Sequence, residues 1–136
     1  MLTTLRKWIA GVFIILISTT VYADCLKEGD SVELSGIMKK EMFYGPPNWG
    51  EDKEHDKKMY YWILYLSKPL TCVVDANTDL ERWNKKVQLV ISGDEYKTRE
   101  KLLNTMVTVK GSIFLAETGY HVEPVLLDNV TFIDGK

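Results

Sequence analysis

Histidine and cysteine are scarce in this chain: two of each occur among 136 residues, as His55, His121, Cys25 and Cys72. Two histidines exclude a three-histidine metal centre, and no HExxH or comparable spacing is present. The cysteines stand too far apart for a CxxC redox pair. Positive charge is not in excess either. The formal net charge is −2, and because nucleic-acid backbones are bound by clustered Lys and Arg, no nucleic-acid partner is expected. Nothing resembles a nucleophile elbow, so serine-histidine-acid catalysis has no local support. With no repeat, low-complexity tract or second-domain boundary, one compact domain is expected.

A long apolar span is missing as well. The uncharged stretch from Trp8 to about Thr19 is shorter than the roughly 18 to 20 residues that cross a bilayer. Arg6 and Lys7 precede it and Val21-Tyr22-Ala23 follows, the small-x-small pattern of a cleavage site, so residues 1–23 read as a secretory signal peptide. Asp24 ahead of Cys25 argues against lipoprotein processing. Removing the first 23 of 136 residues leaves 113, and removing Arg6 and Lys7 from the 17 basic residues leaves 15 against 19 acidic ones, a charge of −4. The expected mature protein, residues 24–136, is periplasmic and has no stable membrane insertion after cleavage. In such an oxidising compartment an even cysteine count reads as a disulfide between Cys25 and Cys72. The loop it closes, about 48 residues, corresponds to about 4 kcal/mol in the chain-entropy account. Free thiols or a nucleophilic cysteine are the alternatives, but a reactive thiolate needs a partner that the sequence does not place nearby.

What is present is strand-like. Val32, Leu34 and Met38 keep a two-residue period through Gly36, and Met59 to Ser67 is a run of aromatic and branched residues suited to a strand covered on both faces. Between them, Gly45-Pro46-Pro47 and the charged run from Glu51 to Lys58 predict a long solvated loop, taken from Phe43 to Lys58. A third strand is expected at Val87 to Ile91 and a fourth at Met106 to Leu115, bent at Gly111. A helix from about Gly93 to Asn104 is expected between them, opened by Ser92-Gly93-Asp94-Glu95 in capping-box form. A last extended region runs from Tyr120 to Ile133, where Pro124 implies an edge or a bulge. The fold class is therefore all-β with one short helix: a small five-stranded OB-like barrel, stapled by the disulfide. A short sandwich or half-open sheet is the rival.

Three stretches resemble a bacterial exported family, domain of unknown function 4431: Phe43-x-Gly45-x-Pro47-Asn48-Trp49, then Leu64-x-Leu66-x-x-Pro69-x-x-Cys72, then Gly111 through Leu127 with Thr118-Gly119-Tyr120-His121 at its centre. The resemblance implies no activity. Where the family pattern has histidines after the Thr-Gly pair, this chain keeps His121 alone.

In an OB-like order the 43–58 and 116–121 loops frame one ligand face, which makes Phe43, Tyr44, Asn48, Trp49, Glu117, Tyr120 and His121 the candidate binding residues. No catalytic residue, metal ligand or cofactor is assigned. Asp52-x-Glu54-x-Asp56 is a poor calcium loop, because Lys57 stands where glycine is required and Ile63 where the terminal acid belongs. The leading expectation is a non-enzymatic periplasmic binding module that engages a protein partner in the cell envelope, in an inhibitor or immunity-type role. The alternatives are a small envelope hydrolase or metal-dependent enzyme centred on His121 with Glu123 or Glu117, and a glycan or small-ligand binder on the same face.

Overall fold

The computed structural model describes residues 11–18 and 24–133. Of the expected signal peptide only 11–18 is described, as exposed chain without helix or strand; the charged start and the expected cleavage site lie outside the described residues. No helix among the described residues is long and apolar enough to cross a membrane.

The described elements are β1 (Ser31–Tyr44), β2 (Lys58–Leu66), β3 (Lys86–Leu89), α1 (Gly93–Arg99) with a 3-10 turn at Glu100–Leu102, β4 (Met106–Leu115) and β5 (Val125–Ile133). The strands close in a ring in the order β1-β2-β3-β5-β4, with β4 returning to β1. All pairings are antiparallel except β3 with β5, which is parallel over Gln88↔Leu126 and Leu89↔Leu127.

Closure depends on β1 serving two neighbours. Its first half pairs with β4, as in Leu34↔Val109, and its second half pairs with β2, as in Met38↔Leu64. Gly36 is shared by both ladders, opposite Leu66 and Val107. A Cβ there would overlap the Tyr65 carbonyl, so the close approach of the strands requires glycine. Alternation then sends Met38, Trp62, Leu64, Val87, Leu89, Val109, Ile113 and Leu127 inward to one core. The disulfide joins Cys25 to Cys72 with Cα atoms 4.8 Å apart. It is flanked by a single bridge in which Leu26 N donates to Cys72 O (3.0 Å) and Val74 N to Leu26 O (2.7 Å).

Several expectations at element ends are corrected. Phe43 and Tyr44 are not loop residues: they pair with Met59 and Lys58 as the last rungs of the β1–β2 ladder, and the connection shrinks to residues 45–57. The capping box does not form. Ser92 is the N-cap with extended dihedrals, but its side chain makes no cap bond and Glu95 N bonds to Ser92 O instead. The α-helix ends at Arg99, where the chain tightens into the 3-10 turn and then reaches Asn104 at a φ of 65°. β3 stops at Leu89, whose parallel pairing with Leu127 is completed by Val90 N donating to Leu127 O (2.9 Å). β5 begins only at Val125, directly after Pro124, so residues 120–124 are a loop.

Candidate binding face

The 45–57 loop is built around a carboxylate. Asp56 is 6% exposed and accepts backbone N–H bonds from Asn48 (2.7 Å), Gly50 (2.7 Å) and Asp52 (3.2 Å). Burial works to raise its pKa, yet the bonds from Asn48, Gly50 and Asp52 outweigh that and hold the carboxyl below its ordinary range. The expected charge run is solvated at Glu51, Lys53, Glu54, His55, Lys57 and Lys58, and the correction falls on Asp56, a buried acid that organises the loop. The loop's base is closed by Gly45 N to Lys57 O (2.7 Å) and Lys57 N to Pro46 O (3.0 Å). His55 stays on the surface with Nδ1 2.8 Å from an Asp52 carboxylate oxygen. Among the described residues no group of three or more His, Cys, Asp or Glu side chains is placed to hold a metal ion.

Between the amides that Asp56 holds lies Trp49, at a φ of 53°. Non-glycine residues seldom take this left-handed conformation, and its retention in a tightly bonded loop directs attention to the indole. The indole ends against the second loop. Its ring centroid is 5.4 Å from that of Tyr120, edge to face, and a Cβ added to Gly119 would fall 2.7 Å from its Cη2. Both rings remain open to solvent, Trp49 at 45% and Tyr120 at 51%.

The 116–124 loop has two fasteners. His121 Nδ1 accepts from Glu117 N (2.8 Å) and Thr118 N (3.3 Å), while its ring stands edge-on to Phe114 at 5.0 Å. An Nδ1 that accepts such bonds carries no proton, so the ring hydrogen sits on Nε2. The second fastener is Gln88, 3% exposed, whose Nε2 donates to Tyr120 O (3.1 Å) and whose Oε1 accepts from Val122 N (2.7 Å). Gln88 belongs to an outward-pointing row that crosses the ring through Lys39, Ile63, Gln88, Leu126 and Phe114. Ile63 and Leu126 are fully buried in this row although they face away from the main core. The 116–124 loop lies over them, bonded to the row through Gln88.

The structure therefore brings together Trp49, Tyr120 and the loop held by His121, with Asn48 and Glu117 exposed at the rim. Phe43 lies behind them, 5.9 Å from Tyr61. Tyr44 departs from the expected cluster: it packs beside Gly50 and beneath the Lys53 ammonium, 5.7 Å from the ring centroid. Glu123, the acid considered as a partner for His121, is half-buried, and its carboxyl is raised by burial, lowered by Lys86 and raised by Glu41. Glu117 meets His121 through its backbone N–H. Neither acid is bonded to the imidazole as a catalytic orienter would be. Sequence reasoning missed Asp56 and Gln88, the two buried polar side chains among the described residues; the one available signal was Gln88 as a lone amide between Val87 and Leu89.

No curated protein and no solved structure matches the chain. The Phe43-to-Trp49 and Leu64-to-Cys72 motifs lie outside the one matched span, which runs from β3 through β5 and includes the Gln88 and His121 fasteners. Residues 86–134 match the model of a family described as a domain of unknown function, DUF4431, so the C-terminal part of the chain is similar to that family.

Proposed function

We propose that this chain is a non-enzymatic binding module of the cell envelope, an OB-type barrel that grips a protein partner in an inhibitor or immunity-type role. The ring order, the parallel β3–β5 contact and the single helix between β3 and β4 support the OB assignment. The disulfide is in keeping with export to an oxidising compartment, taken to be the periplasm.

The observation that carries the binding role is the Trp49–Tyr120 contact. Two half-exposed aromatic rings from loops distant in sequence meet edge to face. Each loop is held by hydrogen bonds to a buried residue, Asp56 on one side and Gln88 on the other. Rigid aromatic anchors with a polar rim are what protein interfaces use as hot spots, since little conformational entropy is lost when they dock.

The test replaces Trp49 with a photoreactive phenylalanine in the exported protein and irradiates intact cells. A discrete adduct supports the role when its partner, purified, loses about thirtyfold or more in affinity for Trp49→Ala, the loss expected at a hot spot. No adduct, or a partner indifferent to Trp49→Ala, rejects it.

A further inference from the structure

The β1–β2 ribbon has a second face. Strand alternation puts Glu41, Phe43 and Tyr61 toward the loops already described, and Lys40, Met42 and Tyr60 on the opposite side. There the ribbon and the α1 segment enclose an open groove of about 320 Å³, lined by Lys40, Tyr60 and Trp62 from the strands and by Tyr96, Lys97 and Glu100 from the helical turn. Tyr60 is 56% exposed, whereas Trp62 is 3% exposed and forms the floor, braced by Tyr96 at 4.9 Å in edge-to-face contact. The Lys40 ammonium stands 5.2 Å from the centroid of the Tyr60 ring.

We propose that this groove is a small-ligand site for a sugar ring that carries one carboxylate. Tyr60 offers an exposed aromatic ring for the C–H face of a pyranose, above a floor in which Trp62 and Tyr96 meet edge to face. Lys40 and Lys97 outnumber Glu100 by one charge, so the groove favours an anion. Ammonium groups bind a carboxylate by charge-assisted hydrogen bonds, and Glu100 is left to accept from ring hydroxyls. A pocket with mostly apolar walls and a few convergent polar groups is the general form of a small-molecule site. The site lies across the ribbon from Trp49 and Tyr120 and does not rest on the protein-partner role.

D-glucuronate titrated into the oxidised, ¹⁵N-labelled protein tests this, with D-glucose as the neutral counterpart. Saturable shifts are expected at the Trp62 indole N–H and at the Lys97 and Glu100 amides, with glucose at least about tenfold weaker, the loss of one charge-assisted bond. The Lys40→Gln/Lys97→Gln double variant, altered only at exposed positions, should lose the preference for glucuronate, and Trp49→Ala should keep it. Absence of saturable shifts, shifts centred elsewhere, equal binding of glucose, or a preference that survives the double variant would overturn the site.

Discussion

Gln88 and Tyr120 are joined by a hydrogen bond of 3.1 Å from a side-chain amide to a backbone carbonyl, across 32 positions of sequence. The same amide accepts from Val122 N, so one side chain in the middle of β3 satisfies two backbone groups of the loop that carries half of the candidate face. The loop owes its position to this strand residue as much as to its own sequence.

Gln88→Leu keeps the volume and removes both bonds, leaving the Val122 N–H and Tyr120 C=O without their partner. An unsatisfied buried polar group costs about 1–3 kcal/mol, so chemical denaturation should show a loss of that size. Faster amide hydrogen exchange at Val122 should accompany it. Exchange unchanged from wild type would mean that the loop is held by other contacts.

The two tryptophans of the central region should behave oppositely. Trp62 is in the core, and Trp62→Ala should cost about 3–5 kcal/mol. Trp49 is 45% exposed and touches mainly Gly119 and Tyr120, so Trp49→Ala should cost about 1 kcal/mol, the scale of one aromatic pair. Equal losses in thermal melts would place Trp49 with the core.

Asp56 gives the loop a pH dependence of known sign. Its folded pKa lies below the unfolded value, so its contribution is present above the unfolded pKa of about 3.8 and is lost as pH falls through the lower folded value. The wild-type melting temperature should therefore fall in the acid range below about pH 4. In Asp56→Asn that part of the decline should vanish, with a lower plateau at neutral pH. A variant profile parallel to the wild type would show that Asp56 does not couple to folding.

Reduction of the Cys25–Cys72 bridge should destabilise the protein by about 4 kcal/mol if unfolded-chain entropy dominates. Denaturation with and without reductant measures this. Alkylation of the oxidised protein should label no thiol, because both cysteines are in the bridge.

Much of the architecture was legible because it depends on local rules. The two-residue period at Val107, Val109, Ile113 and Leu115 marked β4, and breakers at Pro46-Pro47 and Thr118-Gly119 marked the connections. Element ends were less legible. Phe43 and Tyr44 looked like loop residues beside Gly45, but pairing with Met59 and Lys58 extends the ladder past the point where local propensity fades. The Ser92 motif looked like a capping box, yet an exposed, seven-residue helix that buries none of its residues has a backbone bond there instead.

The sequence by itself determined the cysteine pair, the alternation that sorts core from surface, and the order of strands around one helix, since each follows from residue type and neighbouring positions. Only the tertiary structure decided that Asp56 is buried, that Gln88 points into a loop more than 30 residues away, and that Trp49 meets Tyr120. The Gln88 and Trp49 contacts depend on the ring closing, which brings β3 under the 116–124 loop and that loop against the 45–57 loop. The Asp56 carboxylate is held within its own loop, by backbone N–H groups that only the folded turn aims at one point.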